Sequence, residues 1–117
     1  MLIDLAQVFW NSVFAQVRER VLKENEGSQQ RLQLAEIPNG LRVCRNSPFL
    51  EVEQWLDGNI INGQSQSSSS GRTLLATLTI TDANQAWLPA DPLTKSTALS
   101  VSDVADGVLR LFQRSAS

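Results

Sequence analysis

Between Leu2 and Asn25 the chain contains neither glycine nor proline, so no residue in this stretch is expected to interrupt a helix. Apolar residues recur here at spacings of three and four, the pattern of an amphipathic helix. They are Ile3, Ala6, Trp10, Val13, Phe14, Val17 and Val21. Asp4 stands near the positive end of the helix dipole, and Gly27 is suited to cap the other end. We therefore predict a long N-terminal helix over residues 2 to about 25.

The first half of this helix is apolar around almost its whole circumference, because Leu5, Val8 and Phe9 widen the apolar stripe. A helix of this kind is normally covered on more than one side. Two arrangements would cover it: the helix lies centrally under its own sheet, or it is shared with a partner chain. In the second arrangement, the predicted protein-binding residues are Leu5, Phe9, Trp10 and Phe14.

A β-hairpin is predicted after the helix. Asn39-Gly40 is a strong short-range signal for a two-residue turn, and it lies between two stretches rich in apolar residues. With residues 39 and 40 as the loop, Leu34 would pair with Arg45. One face of the hairpin would then carry Leu32, Leu34, Leu41 and Val43.

Two further strands are indicated by alternating polarity. Between Phe49 and Leu56, Leu50 and Val52 point one way, and Glu51 and Glu53 the other. The second strand covers residues 74–81, where one face would carry Leu74, Ala76, Leu78 and Ile80. Residues 63–71 are rich in serine and glycine, and we predict a flexible loop there. A phosphorylated serine cluster is an alternative role for that loop.

The chain is expected to end in a short second helix. Ser102 is suited to the N-cap position, and an apolar stripe follows it. The stripe consists of Val104, Val108, Leu111 and Phe112. The order of helix, about four strands and helix, with short connections, predicts an α+β fold with an antiparallel sheet. We expect residues 1–117 to form one domain.

Composition argues against several kinds of site. The 117 residues include no histidine and one cysteine, Cys44, so neither an internal disulfide nor a thiolate–imidazole zinc site can form. We therefore expect no metal ion, no cofactor and no catalytic activity. An enzyme would have to rely on carboxylates, and the pair that shares a strand face, Glu51 and Glu53, is expected to be solvated.

Charge and hydropathy bear on partners and compartment. The formal net charge is −2, which does not favour binding to nucleic acid or to an anionic membrane. No apolar run approaches the roughly 20 residues of a membrane-spanning helix, and the N-terminus lacks the basic region of a signal peptide. We expect a soluble, cytoplasmic protein.

These observations predict a non-catalytic protein-interaction subunit that binds another protein or itself. An assembly factor, an adaptor or a structural component of a larger complex would fit. The binding surface would be the first helix or the strand pair ending in Trp55 and Trp87. The alternative is a nucleic-acid-binding module whose architecture resembles an oligonucleotide-binding barrel, in which Trp55 would stack on bases. Its phosphate contacts would come from Arg42, Arg45 and Arg72.

Overall fold

A computed structural model describes residues 4–27, 32–46, 49–69, 71–75, 77–88 and 97–114. The elements in chain order are α1 (Leu5–Gly27), β1 (Gln33–Ile37), β2 (Gly40–Asn46), β3 (Phe49–Asp57), β4 (Ile60–Ser67), β5 (Gly71–Leu74), β6 (Leu78–Asp82), β7 (Gln85–Leu88), β8 (Thr97–Leu99) and α2 (Val101–Arg114). All described strand pairs are antiparallel. The predicted α+β class with a long first helix and a short last helix is confirmed.

The strands form one eight-stranded sheet, not a sheet of about four. Strands β1 to β4 form a meander, and the sheet then continues from β4 through β6 and β7 to β8, while β5 pairs with β4 alone. Strand β4 is long enough to pair with two partners along the same edge, β5 at its C-terminal end and β6 at its N-terminal end. Local alternation does not reveal strands as short as β7 and β8, with four and three residues, and β4 lies largely in a segment predicted as a loop.

Most of the segment for which we predicted a flexible loop, residues 63–71, is strand in the structure. Residues 63–67 belong to β4, and Gly71 begins β5; Ser70 lies outside the described residues. Glutamine and serine are not strong strand formers, but this part of β4 pairs with β3 on one side and β5 on the other. Backbone pairing on both sides outweighs the weak local propensity.

The strand predicted over residues 74–81 is interrupted, which reverses the side of the sheet that Leu74 occupies. Leu74 pairs with Gln64, and Leu78 pairs with Ile61. Leu74 and Leu78 are four residues apart, whereas their partners on β4, Gln64 and Ile61, are three residues apart. The segment from Leu74 to Leu78 therefore contains one extra residue, as in a β-bulge. Consequently Leu74 is exposed whereas Leu78 is buried, although the sequence pattern places them on one face.

The first hairpin forms at the predicted place but in a different register. Pro38 and Asn39 make the turn, and Leu34 pairs with Val43 rather than with Arg45. Asn39 has a φ of 58°, a conformation that asparagine tolerates better than most residues. A register shift of two residues keeps every side chain on its predicted face.

Both helices begin with side-chain caps. The Asp4 carboxylate accepts a hydrogen bond from the Gln7 N–H at 3.1 Å. At the start of α2, the Ser100 hydroxyl accepts from the Asp103 N–H at 3.1 Å, and the Asp103 carboxylate accepts from the Ser100 N–H at 3.0 Å. This reciprocal pair is a capping box. The predicted cap, Ser102, already lies inside the helix.

The two helices pack against each other and share one core with one side of the sheet. That core includes Phe9, Trp10, Val13, Val17, Val104, Val108 and Phe112 from the helices and Leu41, Val43, Leu50, Val52, Ile61, Leu78, Ile80 and Ala86 from the strands. On the opposite side of α1, Leu5 is 45% and Val8 41% exposed, so no described element covers that side. The first half of α1 is therefore covered on one side and not on most sides.

Neither helix in the described part of the chain combines the length and the apolar character that crossing a membrane requires.

Candidate functional site on the open face of the sheet

One side of the sheet faces the helices, and no described helix lies on the other side, which we call the open face. Because side chains alternate along a strand, the residues between the buried core positions point to the open face. Leu50 and Val52 point to the core, so Glu51, Glu53 and Trp55 of β3 point away from it. The alternation predicted for β3 is confirmed.

Three large apolar side chains form what we call the apolar region of the open face: Trp55, Ile60 and Trp87. The strand register brings them together, because Ile60 of β4 lies opposite Thr79 of β6, which lies opposite Trp87 of β7. Trp55 lies on β3, two residues before the partner of Ile60. Ile60 is 39% exposed, and both tryptophans are half-buried. With strands about 4.8 Å apart, the region extends about 14 Å across the sheet.

Beside the apolar region lies an ionic cluster made of Arg42, Glu51, Glu53 and Gln64. Arg42 Nε is 3.6 Å from Glu51 Oε1, and an Arg42 Nη is 3.5 Å from Glu53 Oε2. Gln64 Nε2 donates a 3.4 Å hydrogen bond to Glu53 Oε1. These contacts arise because Arg42, Glu53 and Gln64 are direct cross-strand neighbours on β2, β3 and β4.

The two glutamates are less solvated than expected. Their side chains are only 23% (Glu51) and 18% (Glu53) exposed, because Arg42 and the neighbouring strands surround them. Burial raises the pKa of Glu51, and a hydrogen bond with Glu53 raises it further, while Arg42 acts in the opposite direction. Both glutamates, which we expected to be solvated, are therefore partly buried.

A raised carboxyl pKa also occurs in catalytic acids, so the surroundings of the pair matter. Glu51 and Glu53 line neither of the two cavities described here. One of these, of about 550 Å³, lies beside the start of α1 and includes Trp10, Phe14 and Leu56. The other, of about 630 Å³, lies beside the start of α2. The glutamates thus belong to an open surface, where a substrate would not be enclosed.

The residues predicted to bind a partner through α1 do not form a common surface. Phe9 and Trp10 are buried in the core of this chain, and Phe14 is half-buried against it. Of the four, Leu5 alone is exposed. Phe9 and Trp10 are not accessible on the surface of this chain, because the sheet and α2 pack against this side of α1.

The predicted nucleic-acid groove is not assembled either, because its three arginines do not share a face. Arg45 is 3% exposed on the helix side of β2, and its Nη1 donates a 2.9 Å hydrogen bond to the Phe112 carbonyl. Arg42 lies on the open face with two glutamates, and Arg72 of β5 lies on the same face, because Glu51 pairs with Gln66 and Gln66 pairs with Arg72. Trp55 is therefore next to carboxylates and not in a basic groove.

Sequence reasoning did not identify Ile60 and Gln64 as site residues. Gln64 lies in the segment predicted as a loop, and Ile60 precedes it. A signal was present, since Ile61 and Gly63 alternate with the polar residues Asn62 and Gln64, but the serines that follow obscured it. Among the described residues, no group of three or more Cys, Asp or Glu side chains is arranged to hold a metal ion.

Comparison of the chain with protein-family models, with curated proteins and with solved structures finds no significant match.

Proposed function

We propose that this protein is a non-catalytic protein-binding subunit and that its partner binds the open face of the sheet. The observation that carries the proposal is the apolar region, in which Trp55, Ile60 and Trp87 lie together on a side of the sheet that no described helix covers. Tryptophan is among the residues that contribute most binding energy at protein interfaces.

The dimensions of the domain support an interface of ordinary size. Its principal extents are 43 × 36 × 23 Å, as expected for a sheet with one layer of helices. A typical stable interface buries about 800 Å² on each partner. One broad side of this domain provides that area, with the apolar region inside it and the ionic cluster beside it.

The composition of the open face agrees with what protein interfaces contain. Aromatic side chains and arginine are enriched at interfaces, and polar groups surround the apolar centre. Here the open face includes the aromatic residues Trp55 and Trp87 and the arginines Arg42 and Arg72. The exposed side of α1 is a weaker candidate. Leu5 and Val8 are neighbours there, but Leu22 lies about four turns away, and none of the three is aromatic.

Site-specific photo-crosslinking in cells of the native host tests the proposal. A benzophenone amino acid is introduced at Ile60 of the full chain, and in a matched variant at Val8 on the exposed side of α1. Both positions are about 40% exposed, so the two probes are equally accessible. We expect a discrete crosslinked protein from position 60 and none from position 8.

Crosslinks from position 8 alone would assign the interface to α1 and overturn the proposal. The proposal would also be contradicted if neither position 60 nor position 8 gave a crosslinked protein. Thermal unfolding of both purified variants establishes that each is folded before the crosslinks are compared.

A further inference from the structure

On the basis of the proposed function, we infer that the partner places a lysine or arginine side chain over Glu51 and Glu53 while apolar side chains of the same segment cover Trp55 and Ile60. The partner segment is therefore both basic and apolar. The juxtaposition that supports this is a carboxylate pair directly beside the exposed apolar region on one strand, β3.

The charge balance of the ionic cluster is the first argument. Among the described residues, Arg42 is the one cation at ion-pair distance from the two glutamates. Its contacts of 3.6 Å and 3.5 Å are longer than the roughly 2.8 Å of a charge-assisted hydrogen bond. Its Nε atom is shielded from solvent and has no hydrogen-bond partner in the described part of the chain. The glutamate oxygens therefore keep the capacity to accept hydrogen bonds from another cation.

The titration of Glu51 supports the same conclusion. Burial and the neighbouring Glu53 raise its pKa, although Arg42 and Arg72 both attract its charge. The ionised form of Glu51 is therefore disfavoured in the free protein, chiefly because burial removes water from the carboxylate. A further cation above the pair would lower the Glu51 pKa and stabilise its ionised form.

The spacing along β3 allows one segment to make both contacts. Glu51, Glu53 and Trp55 alternate along the strand and share the open face, so consecutive members lie about 7 Å apart. A bound extended segment also presents every second side chain to the sheet. Such a segment can set an apolar residue over Trp55 and a basic residue over Glu53, or over Glu51 one step further.

Charge complementarity distinguishes this partner from others. An acidic segment or a phosphate group placed over Glu51 and Glu53 would face two carboxylates, and like charges at an interface oppose binding. Arg42 already contacts both glutamates, and Arg72 lies on the same face two strands from Glu51. A second copy of the chain, joined about a two-fold axis through Glu53, would bring the two glutamate pairs together. Both alternatives are outcomes of the experiment below.

A phage library of random peptides, selected on the immobilised full chain, tests the inference. We expect the recovered sequences to carry lysine or arginine next to an aromatic or aliphatic residue. One such peptide is then synthesised, together with a matched version in which norleucine replaces the basic residue, and titrated calorimetrically. The double substitution Glu51→Gln/Glu53→Gln should weaken binding at least about tenfold. The control Glu19→Gln/Glu26→Gln on the exposed side of α1 changes the net charge equally and should have no effect.

A double-mutant cycle assigns the contact. Replacing the basic residue of the peptide should lower the affinity of the peptide for the natural chain. The same replacement should change its affinity for the Glu51→Gln/Glu53→Gln variant only a little. Binding at about pH 5 should also release protons to the buffer, because the added cation lowers the raised Glu51 pKa. Glu51→Gln should abolish that release.

The outcomes separate the two proposals. Peptides that lose binding to the neutral variant Ile60→Asn but carry no basic residue would overturn the inference and leave the proposed function in place. Peptides that bind Ile60→Asn as well as the natural chain would contradict both. Sedimentation showing a dimer that Ile60→Asn dissociates would assign the open face to a second copy and overturn the inference.

Discussion

The side-chain amide of Asn25, near the end of α1, makes two hydrogen bonds with the backbone of Leu32. Its Oδ1 accepts from the Leu32 N–H at 2.8 Å, and its Nδ2 donates to the Leu32 carbonyl at 3.0 Å. The amide thus takes the place of a neighbouring strand at the residue that precedes β1. The contact ties the helix to the edge of the sheet where the chain reverses direction.

Replacing Asn25 by alanine should lower the free energy of unfolding by about 2 kcal/mol, because both backbone groups of the buried Leu32 lose their partner. Asn25→Asp keeps an acceptor but not the donor, so it should also destabilise. Urea unfolding measures the loss, and Lys23→Ala on the exposed side of α1 is the control. Equal stabilities of Asn25→Ala and the control would contradict this role.

Arg45 should be essential to the packing of α2, although it resembles a surface residue in the sequence. Its guanidinium bonds the Phe112 carbonyl and lies 5.7 Å from the centre of the Phe112 ring. We expect Arg45→Met to destabilise the protein by about 2 to 3 kcal/mol, since it removes a charged donor from a buried carbonyl. Arg45→Lys should not restore stability, because a lysine lacks the planar group. Arg110→Met, on the exposed side of α2, should cost far less.

Glu51 should make the protein less stable as the pH rises. Its pKa in the folded protein is raised above the ordinary value of 4.5, so the folded state binds its proton more tightly than the unfolded state. The resulting penalty is absent at low pH and develops as the pH rises from 4.5 through the raised pKa. Glu51→Gln should therefore stabilise the protein at neutral pH and lose this advantage below about pH 4. A constant difference across that range would refute the assignment.

Ser100 caps α2, although the sequence predicted Ser102 for this role. Ser100→Ala should cost about 1 kcal/mol, because its hydroxyl accepts from the Asp103 N–H. Ser102→Ala should cost less, since it loses an exposed hydrogen bond from Arg20. Hydrogen bonds from Ser100 lower the Asp103 pKa, so the stability that Asp103 contributes is lost as pH falls through that lowered value. Thermal unfolding of both variants at neutral and acidic pH checks the order.

Gly40 should tolerate no side chain, for a reason other than turn geometry. A Cβ atom there would lie 2.8 Å from the Trp55 Cα and closer still to the Gln54 carbonyl oxygen. Gly40→Ala would force β2 and β3 apart, and we expect a loss of about 3 kcal/mol or more. Asn39→Gly, at the residue with positive φ, should be nearly neutral. If Gly40→Ala unfolds at the same urea concentration as the natural chain, the close approach is not as described.

Features with a local cause could be read from the sequence. The stretch free of glycine and proline makes α1, Pro38-Asn39-Gly40 makes a hairpin, and the alternation from Leu50 to Glu53 separates core from open face. In each case the period of the polarity or the chemistry of the turn acts over a few residues. The position of Glu51 and Glu53 on one face could therefore be predicted from the sequence.

The candidate site itself depended on tertiary pairing. Trp55, Ile60 and Trp87 share a surface because β4 pairs with β6 after the register has shifted by one residue between β5 and β6. A shift of one residue exchanges the two faces of a strand, and no local pattern records it. The sequence alone thus placed Trp55 on a strand, but it did not show that Ile60 and Trp87 lie beside it.

The same difference between local and tertiary causes explains where the apolar residues of α1 and the arginines lie. Periodicity shows that α1 has apolar residues to bury, but which of them meet the sheet depends on packing with distant elements, and here Phe9 and Trp10 do while Leu5 does not. Arg42 and Arg45 are equally basic in the sequence. One lies among carboxylates on the open face and the other under α2, because residues three apart on a strand point to opposite sides. Local sequence determined the elements; contacts between residues far apart in the chain determined which surface each side chain joins.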